Sequence, residues 1–149
     1  MWQMWTRRPW SSWCVRCCWS GWGEPRREAP PTHGVRAVAV PQLEVRETDR
    51  LDTGKAGDRV WTRDLFSLAE APRLGCGLMV MEETTFPWKL TYDEMDYVVE
   101  GRLDVLVGGE RISAGPGEVI HIPRGSEIQF SVKGKARFLY FVYPADWQK

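Results

Sequence analysis

Three residues within the stretch TYDEMD have the types and spacing to do chemistry together: Tyr92, Glu94 and Asp96. They alternate along the chain, so in a β-strand they share one face, with carboxylates at i and i+2 roughly 6–7 Å apart. Such a pair can hold magnesium, carry a raised pKa for acid–base work, or accept hydrogen bonds from a ligand's hydroxyls or amines. The plainer alternative is a solvated strand end, or carboxylates paired with Arg or Lys of another strand. Other candidates are thinner. Cys14-x-x-Cys17 is half a zinc site without a second pair, and His33 is the only helper nearby. His121 is a lone histidine and cannot assemble a zinc or iron site by itself. Arg124, Lys133, Lys135 and Arg137 read as rim charges, from which a phosphate-handling enzyme would have to draw its cations.

The elements that must position these residues belong to a short chain. Its 149 residues are enough for one core. Twenty basic residues balance twenty acidic ones, so no net field recruits nucleic acid or an anionic membrane. No apolar run approaches the roughly 18–20 residues of a membrane span, and no signal peptide is expected. The four cysteines, three of them at Cys14, Cys17 and Cys18, form no disulfide framework and point to a reducing cytoplasm.

Composition divides the chain at residues 1–33 and 34–149. Six of nine tryptophans fall in the first 22 residues, with no acidic residue before Glu24 and neither strand nor helix periodicity. A Pro-rich exit, EPRREAPPTHG, follows. Residues 1–33 are expected to be a disordered or irregular tail, or the product of a start placed upstream of the true one. From Val35 the pattern turns to short β-branched and aromatic runs: VRAVAV, DRVWTRDLF, CGLMVME, MDYVVEG, RLDVLVGGERISA, EVIHIP, SEIQFSV and RFLYFVY. Their spacing is the rhythm of an all-β barrel or sandwich. Gly108-Gly109 marks a tight hairpin, since both turn residues can take positive φ. Only LFSLAEAP looks briefly helical before Pro72 stops it.

Two longer stretches carry a family likeness. FPWKLTYDEMDYVVEG resembles the first metal-binding motif of a cupin, with Glu94 as its glutamate and Trp88 and Leu90 in the histidine slots. GEVIHIPRGSEI resembles the second, with Gly117, Pro123 and Gly125 at the right offsets and Ile128 in the histidine slot. The resemblance implies an all-β jelly-roll barrel that has lost its metal histidines. It also turns Trp88, Leu90, Tyr92, Glu94, Asp96 and Val98 into the lumen, joined by Ile128, Phe130 and Val132, and sends Lys89, Asp93, Met95 and Tyr97 outward. Together with the ending PADWQ, the Phe-Pro-Trp-x-Leu-x-Tyr-Asp-Glu-x-Asp run is similar to the cupin domain of the ethanolamine-utilisation EutQ family.

That resemblance implies bacterial ethanolamine catabolism, association with a microcompartment shell, and acetate kinase activity. The residues alone show no phosphate loop and no helix N-terminus to cradle phosphates. A kinase here would use ATP with magnesium on carboxylates, for which Glu94 and Asp96 are the candidates, and Tyr92 completes the expected catalytic stripe. The alternatives are a metal-free cupin that binds a small molecule in the barrel, or a shell partner, without catalysis, and a metal-independent isomerase or hydrolase using Glu94 and Asp96 as acid and base. A homodimer is expected, because a small barrel has sheet edges and apolar faces to cover. With Trp88, Leu90 and Ile128 in the ligand slots, purified protein should hold far less than one iron, zinc, manganese or nickel per chain by elemental analysis. A stoichiometric metal that disappears in Glu94→Gln would contradict this.

Overall fold

The structure is a computed structural model and describes residues 34–149. The tail expected over residues 1–33, with Cys14, Cys17 and His33, lies outside the described residues. Two long strands dictate the architecture. Strand β2 (Gly75–Lys89) and strand β7 (Glu127–Tyr143) pair antiparallel along their whole length, from Gly75↔Val142 to Lys89↔Glu127. The register slips once, between Glu82 and Thr84, where Glu83 takes a φ of 44°. Facing it, Gly134 takes a φ of 75° and its N–H donates to the Glu83 carboxylate at 2.6 Å. A bulge of this kind bends and twists the ladder, so one pair of strands serves both layers of a barrel.

Each half of the ladder collects its own partners. On one side β1 (Val60–Asp64) pairs with Gly77–Met81, and β3 (Asp93–Glu100) pairs with the end of β7 and with β6 (Val119–Ile122). On the other side β4 (Leu103–Val107) pairs with Gln129–Ser131 and with β5 (Glu110–Ala114). All pairings are antiparallel, and among the described residues the only helical pieces are single 3-10 turns at Val40–Gln42 and Glu47–Asp49. No helix there is long and apolar enough to cross a membrane.

Three expectations need correction. VRAVAV forms no strand: Pro41 ends its pattern in a 3-10 turn, and the carbonyls of Val40 and Leu43 accept from the Arg137 guanidinium instead of a sheet edge. SEIQFSV and RFLYFVY are one strand, because Gly134 bends the chain without breaking the ladder. LFSLAEAP makes a single turn closed by the Glu70 carboxylate on Ser67. The hairpin does close on Gly108 and Gly109, with φ of 57° and 84°.

The second motif's turn locks against the first motif. Gly125 donates its N–H to the Leu90 carbonyl at 2.8 Å, and Leu90 donates to the Ser126 carbonyl at 3.0 Å. Leu90, Ile128, Phe130 and Val132 then pack in one core with Phe86, Val98 and Phe138. Opposite Gly77 lies Tyr140, whose phenol occupies the space where a Cβ of residue 77 would project. Gly77→Ala must expel that ring and should cost at least ~2 kcal/mol in urea unfolding. Gly57→Ala, with nothing within 4 Å, should stay within about 0.5 kcal/mol of wild type. Equal midpoints for the two variants would contradict this packing.

Candidate functional site

Strict alternation along β3 builds the site. Tyr92, Glu94, Asp96 and Val98 are buried, and Asp93, Met95 and Tyr97 are exposed. Glu94 is 3% exposed and Asp96 0%. The ladder places Ile122 and Val142 on either side of Glu94, and Ile120 and Tyr140 on either side of Asp96. Neither Asp96 oxygen finds a hydrogen-bond donor among the described residues. An anion there would be uncompensated, at a cost no protein bears when a proton is available.

Protonation resolves this. Burial first, and then the Glu94 charge and hydrogen bond, drive the Asp96 pKa well above the ordinary aspartate range. Held neutral, Asp96 has a proton to offer Glu94, its neighbour on the same face. Burial pushes the Glu94 carboxyl up to about 7, against the pull of hydrogen bonds with Asp96 and Tyr92. The Tyr92 hydroxyl accepts from Trp88 Nε1 at 2.8 Å and is itself held protonated, chiefly by burial and then by the Glu94 charge. Trp88, Tyr92, Glu94 and Asp96 thus lie on one inward face, from half-buried Trp88 to fully buried Asp96.

Around that line the lumen is nearly full. Its residual cavity is about 10 Å³, room for a single water, and is lined by Glu94, Tyr92, Tyr140, Trp88, Trp147, Leu51 and four further apolar side chains. Trp147 is the hub, with ring centroids 5.6 Å from Tyr140, 5.7 Å from Tyr92 and 6.3 Å from Trp88. Tyr140 donates to Asp64 Oδ1 at 2.5 Å. Magnesium keeps several waters and does not fit a cavity of this size beside Glu94 and Asp96. Among the described residues no three His, Cys, Asp or Glu side chains converge on a metal position.

Outside the lumen, at the same end, opens a cleft of about 780 Å³. Leu51, Trp88, Tyr92 and Trp147 line both spaces and so form the partition between them. Its cations are Arg50, Arg63, Lys89 and Lys149, and its carboxylates Asp49, Asp52 and Asp64. Sequence reasoning missed all of these, because they come from four separated segments. It also left Trp147 without a role, although the PADWQ ending was the available signal. The anticipated rim cations are elsewhere: Lys135 pairs with Glu82 at 3.1 Å, Arg137 pairs with Glu100 at 3.7 Å, and neither they nor Arg124 and Lys133 line the cleft. His121 is exposed on β6, opposite Met95, and does not enter the lumen.

The carboxyl pair has a thermodynamic signature. Both groups bind protons more tightly folded than unfolded, so their contribution to stability is full at low pH. For Glu94 it is lost as pH rises from the ordinary 4.5 through about 7. Urea unfolding at pH 5 and pH 8 should show wild type weaker at pH 8 by more than ~2 kcal/mol, from both acids, and Glu94→Gln with a shallower slope that Asp96 alone carries. A wild type equally stable at both values, or a Glu94→Gln variant with the full slope, would contradict the assignment.

Comparison with known proteins accords with this architecture. Residues 25–149 match the family model described as ethanolamine utilisation protein EutQ. The chain is 57% identical over 114 residues to the acetate kinase EutQ of Clostridioides difficile, covering 76% of this chain and 73% of that protein. It is 42% identical over 85 residues to the acetate kinase EutQ of Salmonella typhimurium, covering 57% of this chain but spanning only 37% of that relative's length. The solved Clostridium difficile EutQ structure superposes with a TM-score of 0.77 at 55% identity, covering 80% of this chain and 87% of that one. A cupin superfamily protein of Desulfitobacterium hafniense, at 15% identity and a TM-score of 0.51 over 57% of this chain and 77% of its own, shares the fold alone. The chain belongs to the EutQ family of ethanolamine utilisation proteins, on a cupin barrel.

Proposed function

We propose that this protein phosphorylates acetate with ATP, giving acetyl phosphate and ADP, in the cleft above the barrel rather than inside it. The observation that carries this reading is Arg63. It stands on β1, lines the cleft, and among the described residues meets no carboxylate, donating only to the Glu44 carbonyl at 2.6 Å. The other cations are engaged: Arg50 with Glu47 at 2.7 Å, Lys89 with Glu127 at 2.7 Å and Lys149 with Asp146 at 3.0 Å. A guanidinium with donors to spare suits phosphoryl oxygens. The name carried by the Clostridioides difficile relative supports the same reaction.

The chemistry asks for little else. Acetate is already an anion at neutral pH, so one of its oxygens attacks the γ-phosphorus as the bond to the ADP oxygen breaks, and no base is needed. Magnesium, when bound with the nucleotide, neutralises phosphate charge; Asp49, Asp52 and Asp64 are the carboxylates that could hold it here. Tyr92, in the partition, is the member of the inward stripe that a substrate in the cleft can meet. Glu94 and Asp96 lie beneath it.

A second reading, a partner-binding barrel without catalysis, is favoured by the outer sheet face, where Met95, Val119 and Tyr143 are more than half exposed. A homodimer or a microcompartment shell contact would use that face, with the protein in the cytoplasm. Acetate-dependent ADP release with magnesium and ATP decides between the readings. Wild type should turn over, Arg63→Ala should lose about tenfold or more in kcat/KM for ATP, and Arg124→Ala, outside the cleft, should match wild type. ADP release no faster with acetate than without it, or an undiminished Arg63→Ala variant, would overturn the proposal.

A further inference from the structure

Tyr140 is a buried donor to which the chemistry above gives no task. Its ring is 1% exposed and packs on Trp147 at a centroid distance of 5.6 Å. Gly77, its partner across the ladder, makes room for it: a Cβ at residue 77 would lie 2.0 Å from the Tyr140 hydroxyl oxygen. That hydroxyl reaches the end of β1 and donates to Asp64 Oδ1 at 2.5 Å. Burial first, and then the bond to Asp64, hold the phenol protonated well above the ordinary tyrosine range. Phenylalanine would fill the same space without a polar atom to satisfy. Here the polar atom is spent on a carboxylate of the cleft.

The three carboxylates of the cleft are held differently. Asp49 accepts from the Arg46 N–H at 2.8 Å and Asp52 from the Gly54 N–H at 2.9 Å, each within its own turn. Asp64 is exposed at the end of strand β1, and its donor comes from strand β7, 76 residues away in the chain. No Lys or Arg pairs with Asp64 among the described residues, although the cleft holds four cations. The phenol occupies one oxygen and leaves Oδ2 for a ligand. A fixed neutral donor orients a ligating carboxylate without cancelling its charge, which a cationic partner would do. Magnesium on a nucleotide takes one or two carboxylates together with phosphate oxygens, so a single well-aimed carboxylate is enough.

We propose that Asp64 is the carboxylate that holds the nucleotide's magnesium, and that Tyr140 is its positioning residue, fixing it from inside the barrel. The assignment rests on the kinase reading and narrows its three candidate carboxylates to one. It also ties the cleft to the ladder beneath: the phenol can reach Asp64 only because residue 77 has no side chain.

Calorimetric titration of the full chain with ADP, in magnesium chloride and again in EDTA, tests this without relying on turnover. Wild type should bind ADP more tightly with magnesium. Tyr140→Phe keeps the ring and removes only the hydroxyl. It should lose about tenfold of the magnesium gain and bind ADP in EDTA as wild type does. Asp64→Asn should lose at least as much, and the double variant no more than Asp64→Asn alone. Tyr140→Phe with the full magnesium gain, or weakened equally in both buffers, overturns the proposal, as does a double variant in which the two losses add. Wild type that binds ADP with no gain from magnesium also overturns it and spares the kinase reading. Wild type that binds no ADP in either buffer overturns both.

Discussion

The barrel depends on a single ladder, the pairing of β2 with β7 over their full length with one bend between its halves. Because the two strands bend together at Glu83 and Gly134, the halves belong to different layers, and β1, β3 and β4 dock on them directly while β5 and β6 follow through β4 and β3. Strand β3 inherits its orientation from this. Paired with the last turn-free stretch of β7 on one side and β6 on the other, it cannot roll, so its even-numbered residues point inward without exception from Tyr92 to Val98. A one-residue slip would put Asp93, Met95 and Tyr97 in the core and the two acids in water. The hydrophobic partners Ile120, Ile122, Tyr140 and Val142 forbid that slip.

The consequence is a conflict the fold keeps. Burying Glu94 and Asp96 is unfavourable, and protonation reduces the cost without removing it. The rest of the lumen adapts around them: Gly77 gives up its side chain so that Tyr140 can stand over it, and Trp147 closes the mouth against three aromatic neighbours. The same partition separates two environments. Above it opens a wide polar cleft; below it lies a nearly full lumen that buries both acids.

What the sequence disclosed follows from range. The inward stripe was legible because alternation is a local property, and Gly117, Pro123, Gly125 and the Gly108-Gly109 hairpin were legible because positive φ and turn geometry restrict residue type locally. VRAVAV misled for the same reason: its local pattern is that of a strand, but no sheet edge receives it. Gly134 read as a break because nothing nearby shows that Glu83 holds its N–H across the ladder. Tyr140 was invisible as a site residue, since its position depends on Gly77 across the ladder, and Trp147 was marked only by the PADWQ ending. The cleft, assembled from residues near 50, 63, 90 and 148, leaves no mark in any one segment.

The central claim is that the barrel buries an acid pair and keeps it protonated where ordinary carboxyls are ionised. Carboxyl-carbon NMR of the protein, with Glu94→Gln and Asp96→Asn used to assign the two signals, observes this directly through a pH titration. The account predicts that Glu94 loses its proton near pH 7 and that Asp96 titrates well above the ordinary aspartate range. Two signals that both titrate in the ordinary carboxylate range, near pH 4, would contradict it.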